Sequence, residues 1–504
     1  MKNVILILLI LVITELSAQQ PAFIVDSLEI YVKREMARWN IPAVGIAIVK
    51  DGKTIITKGY GINDLDNKQK TDENTLFMIA SNTKIFTGTS IALLDYQGRI
   101  SLEDKVTQYI PYFKMYDSNI TQMVTIEDLL SHRLGFETFQ GDFYNWNNNA
   151  TRKEIIENIS KNKPVYQFRD TWGYCNAAFV TAGQIVEVVT DTTWDDFIND
   201  HFFIPMEMNR SSTTYEKLVA DKNACSAYTM FQNKLVELKY DNLNNIAPCA
   251  SINSSANDLS HWLLTQLNDG TYQEKQIFPA DVIAETRIPR SIVNDGRSSL
   301  YPSQHFDLYG LGIEMNDYEG RQMIWHTGGA DGFVTAVCFI PDENLGIAVL
   351  TNTDANYFFL ACLYQIIESY FQMPYRNLSE KYYSFYERNT KQTDKEINDW
   401  YDVAFKTSKP ALPLNDYTGR YLSPVYGNME IKLENGKLNM YFSHHPQLTG
   451  KLSPLGENNF VCTYDPINWG VKEIPFTVEN GKIKSVTVTV NDFIDFMPYE
   501  FIKQ

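Results

Sequence analysis

The sequence predicts an α/β fold, an antiparallel sheet packed against helices, followed by a small all-β, barrel-like domain. Hairpin patterns near residues 44–57 and 333–350 enclose a long helical middle, so strands from both ends of one large unit would share a sheet. After residue 411 the pattern changes to alternation of apolar and polar residues, the period of a half-buried strand. Between the two, residues 376–411 are polar, rich in Lys, Glu and Asn, and run into Pro410 and Pro413, a linker composition with room for a short helix. The expected organisation is a signal peptide over residues 1–18, a main domain over 19–375, a linker over 376–411 and a C-terminal β domain over 412–504.

Each element has a local cause. Lys2, the apolar run 4–13 and the small residue Ala18 form a signal-peptide pattern, and the run is shorter than the ~20 apolar residues a membrane span needs. No cysteine follows Ala18 to carry a lipid, and no later segment reaches membrane-spanning length, so no integral membrane segment is expected after signal removal. Ile24, Leu28, Tyr31, Val32 and Trp39 recur at helical spacing. The runs 44–49 and 54–57 flank Asp51-Gly52, a pair suited to the positive φ angles of a tight hairpin turn. Helical patterns follow over 126–131, 177–189 and 259–267, then a second hairpin over 333–350 and a helix over 358–371. In the last ninety or so residues, Leu433-Glu434-Asn435-Gly436-Lys437-Leu438 and Val478-Glu479-Asn480-Gly481-Lys482-Ile483 are near-identical hairpin signals.

Composition narrows the function. The 504 residues carry a formal net charge of −17, which argues against nucleic-acid binding because phosphate backbones attract Lys and Arg surfaces. The six cysteines are scattered, with no Cys-x-x-Cys and no Cys/His spacing of a zinc site, so no metal is expected. No Gly-x-Ser-x-Gly elbow, phosphate-binding loop or dinucleotide fingerprint occurs.

Three motifs carry chemistry. In Ser81-Asn82-Thr83-Lys84, a helix opening at Ser81 sets Lys84 one turn along on the same face, where its nitrogen can activate the hydroxyl. Ser160 and Lys163 share that spacing but sit at a polar helix end before Pro164, so context separates the two pairs. Tyr174-Cys175-Asn176 precedes a helix of small residues; the phenol is a candidate base and Asn176 a partner for lysine or substrate. Tyr240-Asp241-Asn242 and Tyr426-Gly427-Asn428 match it and read as surface turns. His326-Thr327-Gly328-Gly329 stands just before the 333–340 strand, where paired glycines let a backbone approach substrate and the Gly329 N–H could face a carbonyl oxygen.

In this order, Ser81-x-x-Lys84, Tyr174-x-Asn176 and His326-x-Gly328 resemble the active-site motifs of class C β-lactamases and their relatives, which include penicillin-binding DD-peptidases, D-aminopeptidases and β-lactamase-like esterases. Supporting stretches such as Gly59-Tyr60-Gly61, Ile126-Glu127-Asp128-Leu129-Leu130-Ser131-His132 and Tyr309-Gly310-Leu311-Gly312 spread the resemblance from about residue 24 to 370. It implies a β-lactamase/transpeptidase-like fold and an acyl-enzyme on Ser81, with Tyr174 paired to Lys84 as proton shuttle. It also implies an oxyanion hole from the N–H groups of Ser81 and Gly329, with Asn176, His326, Thr327 and Gly328 around the substrate and no cofactor. The expected protein is a periplasmic or secreted serine hydrolase acting on a small-molecule or peptide substrate, with a ligand-capture or sensor protein of the same fold as the alternative; the oligomeric state stays open.

Three departures from the pattern qualify the substrate. His326 stands where dedicated β-lactamases and DD-peptidases usually carry a lysine, which favours ester or peptide substrates over lactams. Arg133-Leu134 replaces a common Thr-Ser, and Ala247-Pro248-Cys249-Ala250-Ser251 lacks a customary glycine pair. His132 reads as structural. The C-terminal module resembles the small barrel-like appendage of some peptidases of this group and reads as a packing or oligomerisation element; Tyr441, Phe442 and Tyr464 are candidates to cover the cleft instead.

Overall fold

The computed structural model describes residues 20–294, 298–406 and 408–504. The signal-peptide pattern lies outside the described residues. Helix α1 (Leu28–Trp39) buries Leu28, Tyr31, Val32, Met36 and Trp39 and ends at Asn40 in the left-handed conformation. Strand β1 (Ala43–Lys50) returns as β2 (Lys53–Gly61) through Asp51 and Gly52, both at positive φ, the geometry of a tight hairpin turn. Six further strands complete the sheet: β3 (Ser291–Asn294), β4 (Asp307–Tyr309), β5 (Glu314–Tyr318), β6 (Arg321–Ala330), β7 (Phe333–Ile340) and β8 (Leu345–Thr351). The order β2-β1-β8-β7-β6-β5-β4-β3 is antiparallel throughout, so strands from both ends of the domain do meet at its centre.

The sheet separates two cores. Val44, Ile46 and Ile48 of β1 pack with α1 and with helix α5 (Phe358–Tyr370) on one face. Ala43, Ala47 and Val49 face the other side, where helices α2 (Thr83–Tyr96), α3 (Asn176–Thr190) and α4 (Ala256–Leu267) lie. That period-two division of β1 is what a strand buried on both faces must show.

The segment expected as linker holds a 29-residue helix, α6 (Leu378–Lys406). Its polar composition hid the pattern because α6 buries only Leu378, Ser379 and Ile397. Lys391–Glu387, Lys395–Asp399 and Lys406–Asp402 pairs, each four residues apart, lace its outer face. Its tyrosines supply the packing: Tyr383 sits edge-on to Trp39, and Tyr382 hydrogen-bonds the Tyr301 hydroxyl at 2.7 Å. Farther along, Ile397 packs on Val461 and Val471, so α6 spans from the main domain to the C-terminal one.

The C-terminal domain is a closed antiparallel barrel of eight strands from Gly419–Ser423 to Tyr499–Lys503, each beside its chain neighbour and closed by the first against the last. Asn435-Gly436 and Asn480-Gly481, all at positive φ, make two of its hairpin turns. Its interior belongs to the same continuous core as α2 and α3. All six cysteines are buried and free. Among the described residues, no helix is long and apolar enough to cross a membrane.

Candidate active site

Strand Phe77–Met78 leads into a single 3-10 turn, Ala80–Asn82, that carries Ser81 into the start of α2. Ala80 has φ 46°, a left-handed conformation that costs an L-residue about 1–2 kcal/mol. The turn is held from outside: Asn82 Nδ2 donates to Ile79 O at 3.1 Å and to Thr335 Oγ1 of β7 at 2.9 Å. Gly328 lies flat against it, since a Cβ there would stand 2.0 Å from Ile79 O. Behind α2, Gly312 (φ 76°) lets its loop approach so closely that a Cβ would lie 2.4 Å from Lys84 O.

The sequence-predicted residues converge. Ser81, Tyr174, Asn176, His326, Thr327, Gly328 and Gly329 all line one cleft of about 450 Å³, and Lys84 is buried directly behind Ser81. Ser160 plays no part in the cleft; its hydroxyl donates to Glu157 O. The 326–329 run, expected to precede a strand, lies within one: β6 pairs with β7 through Ala330, and pairing with β5 stops at Trp325. The cleft side of Thr327–Ala330 is therefore a strand edge without a sheet neighbour, a row of backbone groups open to an extended substrate.

Lys84 Nζ has three oxygen acceptors: Ser81 Oγ at 3.2 Å, Asn176 Oδ1 at 2.7 Å and Cys249 O at 3.0 Å. An ammonium has three protons, so the charged form is fully satisfied; loss of one proton turns a lone pair toward the Ser81 hydroxyl. Burial lowers the Lys84 pKa to about 8, which brings the free amine within reach of mildly alkaline solution. Tyr174 presents its ring, not its hydroxyl, to Lys84, with Nζ 4.5 Å from the ring centroid. Burial holds the phenol well above its ordinary 10, and the neighbouring Ser81 hydroxyl works in the opposite direction. The Tyr174 oxygen is buried and has no aligned hydrogen-bond partner.

Sequence reasoning missed the residues behind this first layer. Asp142 lines the cleft and accepts from Asn176 Nδ2 at 2.6 Å, extending the line Ser81–Lys84–Asn176 by a carboxylate. Desolvation, with Asp495 nearby, raises the Asp142 pKa to about 7. On the opposite wall, Tyr309 Oη contacts His326 Nε2 at 3.0 Å and His132 Nε2 at 3.3 Å. The Cys175 N–H donates to His132 Nδ1, and His326 Nδ1 faces the acceptor Thr327 O, so one donor and one acceptor fix the two tautomers: His132 Nε2–H to Tyr309, Tyr309 O–H to His326. Every member is neutral. Desolvation, reinforced by Lys84, lowers the His326 pKa to about 3, and His132 falls well below 6.5 for the same reasons. Arg133, one of the departures, points away into ion pairs with Glu127 and Asp128.

Two more carboxyls, Glu314 and Asp354, line the cleft, and desolvation raises them to about 8 and about 7. Trp146, Trp172, Phe139 and Tyr357 supply aromatic walls, while Phe493 and Ile494 come from the barrel. The barrel thus enters the cleft through a turn near its C-terminus; Tyr441, Phe442 and Tyr464, the aromatics singled out in the sequence, are not among the lining residues. No signal short of the three-dimensional contact marks Asp142 or Phe493, because each reaches the site from a distant stretch of chain.

A domain of unknown function, DUF3471, matches residues 404–503. The protein flp of Staphylococcus aureus (strain MW2) is 29% identical over 340 residues, which is 66% of this chain; the chain spans 64% of that relative's length. The unguisins hydrolase ungD' of Aspergillus campestris is 28% identical over 427 residues, covering 79% of this chain and 76% of the relative. Among solved structures, the octameric penicillin-binding protein homologue from Pyrococcus abyssi superposes with a TM-score of 0.59 at 21% identity, over 95% of this chain and all (100%) of that one. A D-stereospecific amidohydrolase from Streptomyces sp. gives 0.53 at 19% identity, over 65% of this chain and 94% of its own. These likenesses establish the β-lactamase/transpeptidase-like fold. With the Beta-lactamase family model matching residues 28–368, about two thirds of its length, the chain belongs to the beta-lactamase family.

Proposed function

We propose that the chain is an exported serine hydrolase that forms an acyl-enzyme on Ser81 and acts on a peptide, amide or ester. The observation that carries this reading is the fully buried Lys84 amine 3.2 Å from the Ser81 hydroxyl, with its other two contacts taken by Asn176 and Cys249 O. A lysine so placed has one purpose left for its lone pair, to accept the serine proton.

In acylation, Ser81 Oγ attacks the substrate carbonyl carbon while its proton passes to neutral Lys84. The carbonyl oxygen becomes an oxyanion beside the N–H groups of Ser81 and Gly329, a stabilisation worth about 3–4 kcal/mol where one such donor has been removed. Collapse expels the leaving group, which takes the proton that Lys84 received from Ser81; the Tyr174 O–H, un-ionised and beside Ser81, is placed to hydrogen-bond the departing atom. Water then attacks the ester by the reverse sequence, releasing acid and restoring Ser81.

The walls bear on the substrate. His326 is neutral at all ordinary pH, so the wall beside the free β6 edge offers no fixed cation to a substrate carboxylate. Asp142, Glu314 and Asp354, raised by burial to about 7, 8 and 7, gain negative charge only as pH rises past neutral, and there they disfavour an anionic ligand further. This supports esters and amides without a carboxylate at that end over lactams. The relative named as an unguisins hydrolase supports hydrolysis. Export rests on the N-terminal pattern of Lys2, residues 4–13 and Ala18. The test is a panel of short esters, D-amino-acid peptides and β-lactams with a Ser81→Ala control. Turnover lost in the control supports the reading; a lasting adduct without turnover favours ligand capture; turnover kept in the control refutes it.

A further inference from the structure

The barrel does more at the cleft than pack against it. Its Asp495 carboxylate crosses to the main domain and accepts from two backbone N–H groups there, Gly141 at 3.2 Å and Phe143 at 2.9 Å. Asp142 lies between those two residues, and its carboxylate accepts from Asn176, which in turn accepts from Lys84. Within the barrel, Asp495 is fixed by the Met497 N–H on one oxygen and the Tyr499 hydroxyl on the other. Gly141, Phe143 and Tyr499 donate to Oδ2 while Met497 N–H donates to Oδ1, so both terminal atoms accept and a carboxylate, not an amide, suits the position.

Phe143 anchors the same loop mechanically. It is fully buried, with its ring 4.5 Å from Tyr426 and 5.4 Å from Tyr499, both barrel residues. A second clasp holds the other wall: Asn468 of the barrel donates to Asp331, two residues beyond Gly329. Between the clasps stand Phe493 and Ile494 in the cleft wall, with Phe493 so close to Gly329 that a Cβ there would lie 2.8 Å from its ring. Asp495 sets one buried carboxylate of the barrel on the two residues flanking Asp142, a polar contact that packing alone does not require.

We propose that the C-terminal barrel completes the active site, with Asp495 as a positioning residue that holds Asp142 against Asn176 and so aims Lys84 at Ser81. This rests on the reading of Ser81 as the acylated nucleophile. Asp495 touches neither substrate nor reacting atoms; it acts through the Gly141–Phe143 backbone. Phe493 and Ile494, on the same turn, touch the substrate space directly.

The test uses the full chain and p-nitrophenyl acetate, with a fluorophosphonate to label the nucleophile. Asp495→Asn should lower kcat tenfold or more with KM within about twofold, whereas Phe493→Ala, altering the wall of the cleft, should act mainly on KM. Asp142→Asn should lower kcat as well, and the double variant should be no slower than the slower single one, because both act along one line of contacts. Losses that multiply in the double variant, or wild-type kcat in Asp495→Asn, would overturn the proposal. If Asp495→Asn melts below the assay temperature, Tyr499→Phe keeps the carboxylate and removes one of its donors. It should lower kcat less, and not at all in the Asp142→Asn background; an unchanged kcat in the wild-type background overturns the proposal. A wild-type chain that takes no label on Ser81 would overturn the acylation reading, and this proposal with it. Label on Ser81 with full activity in Asp495→Asn would overturn this proposal alone.

Discussion

Replacing Asn176 with alanine removes the one side chain that touches both Lys84 and Asp142, through contacts of 2.7 and 2.6 Å inside the protein. The charged form of Lys84 then keeps two acceptors instead of three. A hydrogen bond to a charged group contributes about 1.5–3 kcal/mol, and each pKa unit corresponds to about 1.4 kcal/mol. Lys84, at about 8 in the native chain, should therefore titrate at roughly 6–7 in the variant. The sign is definite: losing a partner of the protonated amine makes it deprotonate at lower pH. Because the free amine is the base, the acid limb of kcat/KM should move down in pH by about one to two units. The plateau should fall at the same time, since the amine is no longer steered toward Ser81. The assay is p-nitrophenyl acetate hydrolysis from about pH 5 to pH 10, fitted for limb and plateau separately. A limb that stays near pH 8 with the plateau reduced would refute the assignment of that limb to Lys84.

Three other outcomes are expected. Ser81→Ala should abolish ester turnover while leaving the thermal melt nearly unchanged, because Ser81 lies partly open in the cleft; persistent turnover would refute its role. Gly328→Ala should be inactive and destabilised, with its Cβ 2.0 Å from the Ile79 carbonyl, whereas Gly329→Ala meets only the tip of Phe493 and should be rescued by Phe493→Ala; equal effects of the two alanines would refute the contrast. Thermal stability should decline as pH rises through about 6 to 8. Asp495 (about 6), Asp142 and Asp354 (about 7) and Glu314 (about 8) have folded pKa values above their unfolded ones. Their contribution is complete below the unfolded carboxylate range of about 4, shrinks while the unfolded chain is ionised and the folded groups keep their protons, and is gone once each passes its folded pKa; a melt that rises steadily over that window would refute it.

The sequence made the inner layer of the site legible because its spacing rules are local. Ser81 and Lys84 meet by helical period, and Tyr174 and Asn176 by their place at the start of α3. The glycines of β6 were visible as glycines, but their strand conformation was not, since consecutive glycines equally suit a turn. Alternation and Asn-Gly pairs revealed the barrel. Helix α6 was hidden by its polar composition, its support coming from tyrosines spaced along one face and from the barrel surface, neither of which composition weighs. His132 read as structural; its place in the Tyr309–His326 network depends on contacts 177 residues apart. The same holds for Asp142 and Asp495, separated by 353 residues and joined only when the barrel closes on the main domain.

The central claim is a covalent acyl-enzyme on Ser81. Intact-mass and peptide analysis of the full chain after brief exposure to a fluorophosphonate tests it most directly. One adduct per chain is expected, on the peptide bearing Ser81, formed faster as pH rises through about 8 and absent from Ser81→Ala. An adduct elsewhere, or equal labelling of the Ser81→Ala chain, would contradict it.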